Sequence, residues 1–139
     1  MSLGPLLAAP WVIQMHAIAA IAAFFLGAIQ LAAPKGTLPH KTIGVVWIAL
    51  MTLIAISSIF VRPALEPGLP VTKWFSLIHI FTVMTIFGVI SGVSILLKGG
   101  KGLKHHSRPF MGIFIGGLVI AGAFAFLPGR IMHQVMFGG

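Results

Sequence analysis

The chain has 139 residues, of which 58% are hydrophobic and only 7% are charged. A soluble domain carries roughly a quarter charged residues, so this composition excludes a soluble globular protein and indicates an integral membrane protein. The net charge of +8 comes from basic residues between apolar runs, where they contact lipid headgroups rather than nucleic acid. The sequence has no cysteine, which excludes disulfides, thiolate-bound metals and covalently attached haem.

Four apolar runs follow one another along the chain, and each is long enough to cross a bilayer as a helix. We predict an all-α integral membrane protein, with four transmembrane helices in an up-down bundle joined by short loops. The whole chain, 1–139, forms a single membrane domain. The predicted helices are about 11–33, 41–62, 71–97 and 109–127. The tail at 128–139 is too short to span and is expected to lie at the interface.

The basic residues predict the orientation of the bundle. The first and third connectors carry six of them, namely Lys35, Lys41, Lys98, Lys101, Lys104 and Arg108. The opposite side carries three, namely Arg62, Lys73 and Arg130. Because basic loops are retained in the cytoplasm, we expect the first and third connectors there and both termini outside.

The histidines are the most informative residues. His16 and His79 lie within the first and third apolar runs, near the outer face, and His40, His105 and His106 lie where the second and fourth runs begin. An ionisable group within a membrane helix is costly and is therefore a functional-site hypothesis with a partner to be found. In an up-down bundle the first and third helices are diagonal, as are the second and fourth, so each face of the membrane offers one candidate pair.

Two imidazoles on opposite sides of a plane are the ligand set of a b-type haem. We therefore predict haem-iron ligation by His16 and His79, and a second site at His40 and His106. The face of the first helix that carries His16 is lined by small residues and ends in a glutamine, as expected for a groove that receives a flat ring: Ala19, Ala20, Ala23, Gly27 and Gln30. Arg62 and Arg130 are candidates for contact with haem propionates or a quinone headgroup.

Each of these features also has a simpler interpretation. Small residues four apart, as at Gly88 and Gly92, more often mark close helix contact. The histidines of the connectors are commonly solvated, and the partner of a buried histidine is often a hydroxyl, a backbone carbonyl or another histidine. The arginines can anchor lipid phosphates. A three-histidine or carboxylate metal site is disfavoured, because the only acid, Glu66, lies in a loop.

Several short motifs resemble a bacterial family of small predicted inner-membrane proteins of unknown function. They are Leu26–Leu31 after His16, Leu38–Gly44, Leu77–His79, His105–Met111 and Leu127–Arg130. The family pattern has a histidine at each of four places and an arginine near the end, matched here by His16, His40, His79, His106 and Arg130. The resemblance implies four or more helices and an inner-membrane location, and it points to no established activity. Lys41 and Thr42 stand where that family usually has an arginine-rich stretch.

Three functions follow as hypotheses. The first is a haem b electron-transfer module with bis-histidine ligation. The second is a cofactor-free accessory or structural subunit of a larger respiratory, photosynthetic or transport complex. Its Gly/Ala faces would pack against other membrane subunits or a second copy of itself. The third is a small transporter or proton relay, which lacks an acid within the membrane. An independent enzyme has the least support, because the sequence contains no carboxylate pair, nucleophile–base arrangement or phosphate loop.

Overall fold

A computed structural model describes residues 2–68, 70–73, 79–99 and 105–138. These residues form helices and short connectors, with no strand among them. The helices are α1 (Gly4–Leu7), α2 (Trp11–Ala32), α3 (Leu38–Leu65), α4 (His79–Lys98), α5 (Ser107–Ala125) and α6 (Ile131–Phe137). Helices α2, α3, α4 and α5 are each long and apolar enough to cross a membrane. The predicted all-α class with four spanning helices is confirmed.

Helix α3 is longer than predicted at both ends. Its first turn is closed by Thr37, whose side chain accepts a hydrogen bond from the backbone N–H of His40 at 3.3 Å. Pro39 is tolerated there because the first turn leaves its N–H groups unpaired in any case. At the other end, the helix continues past Pro63 because the N–H of Glu66 still donates to the carbonyl of Arg62 at 3.0 Å. His40 is the third residue of α3 and lies in its first turn.

The third predicted helix begins later than expected. Val71–Lys73 is a 3-10 turn rather than an α-helix, because the N–H of Lys73 bonds the carbonyl of Pro70, three residues earlier, at 2.8 Å. Residues 74–78, which the prediction also included, lie outside the described residues, as does the middle of the basic connector at 100–104. Within the described residues α4 begins at His79.

Helix α5 is not uniform. It is α-helical at Ser107–Ile113 and Ala121–Ala125 and π-helical at Phe114–Ile120. A π-helical turn holds more residues than an α-helical turn, so it changes which side chains face the bundle. In α5 it points Phe114 toward α2, where its ring stacks on Phe24 with centres 5.8 Å apart.

The long helices form a closed ring in chain order. Helix α2 packs on α3, α3 on α4, α4 on α5, and the π-helical part of α5 packs back on α2. The diagonal pairs are therefore α2 with α4 and α3 with α5. Around the bundle the outward surface is apolar, including Val45, Phe87 and Leu97. That surface is what lipid contact requires.

Glycines let the neighbouring helices approach. A Cβ at Gly88 would strike Ile113, one at Gly92 would strike Phe110, and one at Gly116 would strike Met84. The small-residue positions of α4 and α5 are thus used for contacts within this chain, as the simpler interpretation holds.

The short helices α1 and α6 pack on each other at the end of the bundle where α2 begins and α5 ends. The N–H of Ser2 donates to the carbonyl of Val135 at 3.0 Å, and Leu6, Ile13 and Val135 form a small buried cluster. The tail beyond residue 128 therefore contains α6, which packs on α1; its expected position at the membrane interface stays a prediction.

Candidate functional site

The structure brings together the two histidines of the inner pair. His40 lies in the first turn of α3, and His106 directly precedes Ser107 at the start of α5. Their ring centres are 6.2 Å apart, and the ring planes are almost perpendicular, at 82°. His105, the neighbouring candidate, is exposed. Because α3 and α5 are diagonal, the two rings reach each other from opposite sides of the bundle.

A cavity of about 210 Å³ lies beside His40. Helices α2, α3 and α5 provide most of its wall, and α4 contributes Leu96. Three of its lining side chains are large aromatics, namely Trp47, Phe110 and Phe114. Its polar side chains are Gln30, His40 and Lys41. The cavity is thus an apolar space with a few polar groups, which is the usual composition of a small-molecule site.

Gln30 connects this cavity to His40. Its side-chain nitrogen donates to the backbone carbonyl of His40 at 2.8 Å, which ties the end of α2 to the first turn of α3. The close approach needs Gly44, because a Cβ there would lie 2.9 Å from the same nitrogen. Among the described residues, neither Oε1 of Gln30 nor Nδ1 of His40 has a hydrogen-bond partner, although both atoms are buried. Burying a polar atom without a hydrogen bond destabilises the fold, so each such atom needs an explanation.

His16 has a hydroxyl partner, which is one of the alternatives that the sequence left open. Its Nδ1 lies 2.8 Å from Oγ of Ser57 on α3. The Ser57 hydroxyl itself donates to the carbonyl of Ile54 at 3.1 Å. A hydroxyl has one proton to donate, so Oγ accepts from the Nδ1–H of His16. This assignment makes the other ring nitrogen, Nε2, the one with a free lone pair.

His79 occupies the start of α4 and is buried, with 8% of its surface exposed. One turn further along, Thr82 shares a hydrogen bond of 2.8 Å with Ser58, next to Ser57 on α3. His16 and His79 therefore lie on diagonal helices that both contact α3. Their predicted role as a ligand pair stays a prediction.

Part of the groove expected along α2 is filled by side chains of the same protein. Ala19, Ala23 and Gly27 are buried. Trp47 donates its indole N–H to the carbonyl of Ala23 at 2.8 Å. A Cβ at Gly27 would lie 2.6 Å from Phe114 and 2.7 Å from Trp47. Trp47 and Phe114 therefore cover the groove at Ala23 and Gly27, and its occupation by a flat ring stays a prediction.

The two candidate arginines lie in exposed surroundings. Arg62 forms a loose ion pair with Glu66, with Nε and Oε1 3.9 Å apart, and both side chains are more than a third exposed. Such surface pairs contribute little to stability. Arg130 is exposed and directly precedes α6. Their predicted contacts with propionates or a quinone headgroup stay predictions.

Sequence reasoning missed three side chains that the structure makes relevant. Trp47 and Lys41 line the cavity. His133 on α6 packs its ring on Phe137 with centres 5.0 Å apart, and its Nδ1 is buried without a hydrogen-bond partner among the described residues. A tryptophan in the middle of an otherwise aliphatic span was the available signal for Trp47, because its N–H must find an acceptor.

The part of the chain that the structure describes contains no group of three or more metal-binding side chains. This finding does not bear on pairs of imidazoles such as His40 and His106.

A known protein family matches much of this chain. The family described as predicted membrane protein (DUF2306) matches residues 13–111, which is more than half of the sequence. This chain belongs to the DUF2306 family. The match confirms the resemblance seen in the motifs, and it spans His16, His40, His79 and His106 but not Arg130. No curated protein and no solved structure matches the chain.

Proposed function

We propose that this DUF2306 protein is a membrane electron-transfer module that holds a b-type haem between His40 and His106. The supporting observation is the 6.2 Å between the two ring centres. Two imidazoles that bind one metal ion from opposite sides, at about 2.0–2.1 Å per metal–nitrogen bond, have ring centres roughly 6 Å apart. Rotation of the rings about this axis is unrestricted, so perpendicular planes are compatible with ligation.

The surroundings of the pair suit the same role. Apolar and aromatic side chains beside His40 exclude water, and Lys41 offers a positive charge to a carboxylate. A bound haem supplies one-electron redox chemistry, while the protein contributes ligands, orientation and a low dielectric. The cavity beside His40 is smaller than the 300–1,000 Å³ or so of typical ligand sites, so the macrocycle is assigned to the space between the imidazoles and not to that cavity.

A second haem at His16 and His79 is the extension of this proposal to the outer face. The hydrogen bond from Nδ1 of His16 to Ser57 supports it, because ligating histidines usually donate their other N–H to an oxygen. Two sites near opposite faces would carry electrons across the bilayer. We place the protein in the bacterial inner membrane, with both termini outside, as the basic connectors favour.

The test is the visible absorption spectrum of the detergent-purified protein from haem-replete cells, oxidised and then reduced with dithionite. We expect sharp bands on reduction. His40→Ala and His106→Ala should each remove the six-coordinate spectrum of the inner haem, because one imidazole leaves the iron five-coordinate or loses it altogether. His105→Ala is the matched control, since His105 is adjacent to His106 but exposed.

The variants also separate the two sites. Loss of absorbance in His16→Ala and His79→Ala, with full absorbance in the inner variants, would move the haem to the outer pair. A colourless wild-type protein would overturn the haem proposal. Co-purification of that colourless protein with a larger membrane complex would then favour the accessory-subunit hypothesis.

A further inference from the structure

The cavity beside His40 is too small for the haem macrocycle, and its lining fits a smaller ligand. Its long walls are aromatic and aliphatic, formed by Trp47, Phe110 and Phe114 together with Ile48. Aromatic walls favour a flat ring. At about 210 Å³ the cavity has room for one ring and its small substituents rather than for a large cofactor.

The polar residues of the cavity indicate which functional group its ligand carries. The nitrogen of the Gln30 side chain already donates to the carbonyl of His40, and this bond identifies the other amide atom as the oxygen, Oε1. A buried amide oxygen without a partner requires a donor. Leaving it unpaired costs on the order of 1–3 kcal/mol. A ligand with only carbonyl groups cannot supply this donor, whereas a ring hydroxyl can.

Nδ1 of His40 is the second buried atom in need of a partner. If Nε2 of His40 binds iron, as proposed above, Nδ1 carries the proton and acts as a donor. The Nδ1–H of His40 would then be a donor for an oxygen atom of the ligand. The requirement for a donor rests on Gln30 alone, and only the second hydrogen bond rests on the proposed function.

The ligand has a route from the lipid phase. Two residues that line the cavity also face outward, Val45 with 69% and Leu31 with 43% of their surface exposed. In a spanning helix such exposed apolar side chains contact acyl chains. A ring with a long apolar tail can therefore enter from the bilayer and leave its tail among the lipids.

We propose that this cavity binds the hydroxyl-bearing ring of a lipid-soluble hydroquinone. The reduced form should bind more tightly than the corresponding quinone, because only the hydroxyl satisfies Oε1 of Gln30. One hydrogen bond to a buried group contributes about 1.4 kcal/mol, which corresponds to a tenfold preference.

The experiment is calorimetric titration of the purified full-length protein in detergent with a decyl hydroquinone and, separately, with the matching decyl quinone. We expect saturable binding of both, with an affinity about tenfold higher for the hydroquinone. In Gln30→Leu the preference should disappear, because the hydroquinone loses its acceptor and the quinone loses nothing. Gln14→Leu is the matched control, since Gln14 bonds the backbone of Leu7 and Ala9 near the other end of α2.

Gly44→Ala provides a second variant in case Gln30→Leu does not fold. Its added methyl displaces the Gln30 side chain and should also abolish the preference for the hydroquinone. Absence of saturable binding, tighter binding of the quinone, or an unchanged preference in both variants would overturn the proposal. The absorption spectrum of the same preparations reports on haem separately, so hydroquinone binding in a colourless protein would overturn the proposed function and leave this inference standing.

Discussion

The chain of hydrogen bonds from His16 through Ser57 to the carbonyl of Ile54 shows how one residue can set the chemistry of another. The hydroxyl of Ser57 donates to the carbonyl of Ile54 in its own helix. It therefore accepts the hydrogen bond from the imidazole. This assignment links the tautomer of His16 to a side chain on α3. A membrane interior offers no water to replace such a partner.

Ser57→Ala should therefore destabilise the protein. It leaves Nδ1–H of His16 without an acceptor, and we expect the free energy of unfolding to fall by about 1–3 kcal/mol. Thermal unfolding in detergent, followed by circular dichroism, is the measurement. Thr52→Ala is the control, because among the described residues the exposed Thr52 hydroxyl bonds only the carbonyl of Ile48, in the same helix. Equal stability of the two variants would contradict the assigned hydrogen bond.

At the scale of helices, α4 and α5 pack closely because side chains of α5 lie directly against glycines of α4. Ile113 faces Gly88, and the ring of Phe110 faces Gly92. The same ring of Phe110 packs edge-on against Trp47 of α3, with centres 6.0 Å apart. A shift of α5 away from α4 would therefore also change the wall of the cavity.

Gly88→Ala tests this contact. The new methyl strikes Ile113, and overpacking of this kind costs about 1–3 kcal/mol. Gly112→Ala is the matched control, because no atom of the described residues lies within 4 Å of a Cβ at that position. There the gain in helix propensity, up to about 1 kcal/mol, should leave the protein unchanged or slightly more stable.

A second substitution makes this test specific. Ile113→Ala removes Cγ2, the atom that the new methyl meets, so the double variant should lose less stability than the sum of the two single variants. The unfolding temperatures of the single and double variants in detergent provide the comparison. Strictly additive losses would show that Gly88 and Ile113 do not pack as described.

At the scale of the whole molecule, the outward surface is apolar along all four spanning helices, and the basic residues are confined to their ends. Such a surface defines the protein as a membrane-embedded bundle but does not define which end faces the cytoplasm. The orientation with both termini outside rests on the basic residues alone.

Single cysteines can test this orientation, because the chain has no cysteine of its own. In right-side-out vesicles, a membrane-impermeant maleimide should label Pro67→Cys directly and Lys35→Cys only after permeabilisation. Both positions are exposed and lie in opposite connectors, so each serves as the control for the other. The reverse labelling pattern would invert the predicted orientation.

The sequence by itself determined the membrane class, the number of spanning helices and the family. These follow from the length and apolarity of each run, which are properties of one segment at a time. It also identified the histidines as the side chains that need an explanation within a bilayer. Helix ends were predicted less well, because the hydrogen bonds around Thr37, Pro63 and Pro70 decide them locally.

Only the tertiary structure decided which groups meet. No periodicity could show that His40 and His106 approach to 6.2 Å, that Ser57 accepts from His16, or that Trp47 and Phe114 fill part of the groove of α2. These contacts join different helices, and they depend on the rotation of each helix about its axis and on the π-helical turn in α5. Such rotations result from packing of the whole bundle, which a pattern within one helix does not encode.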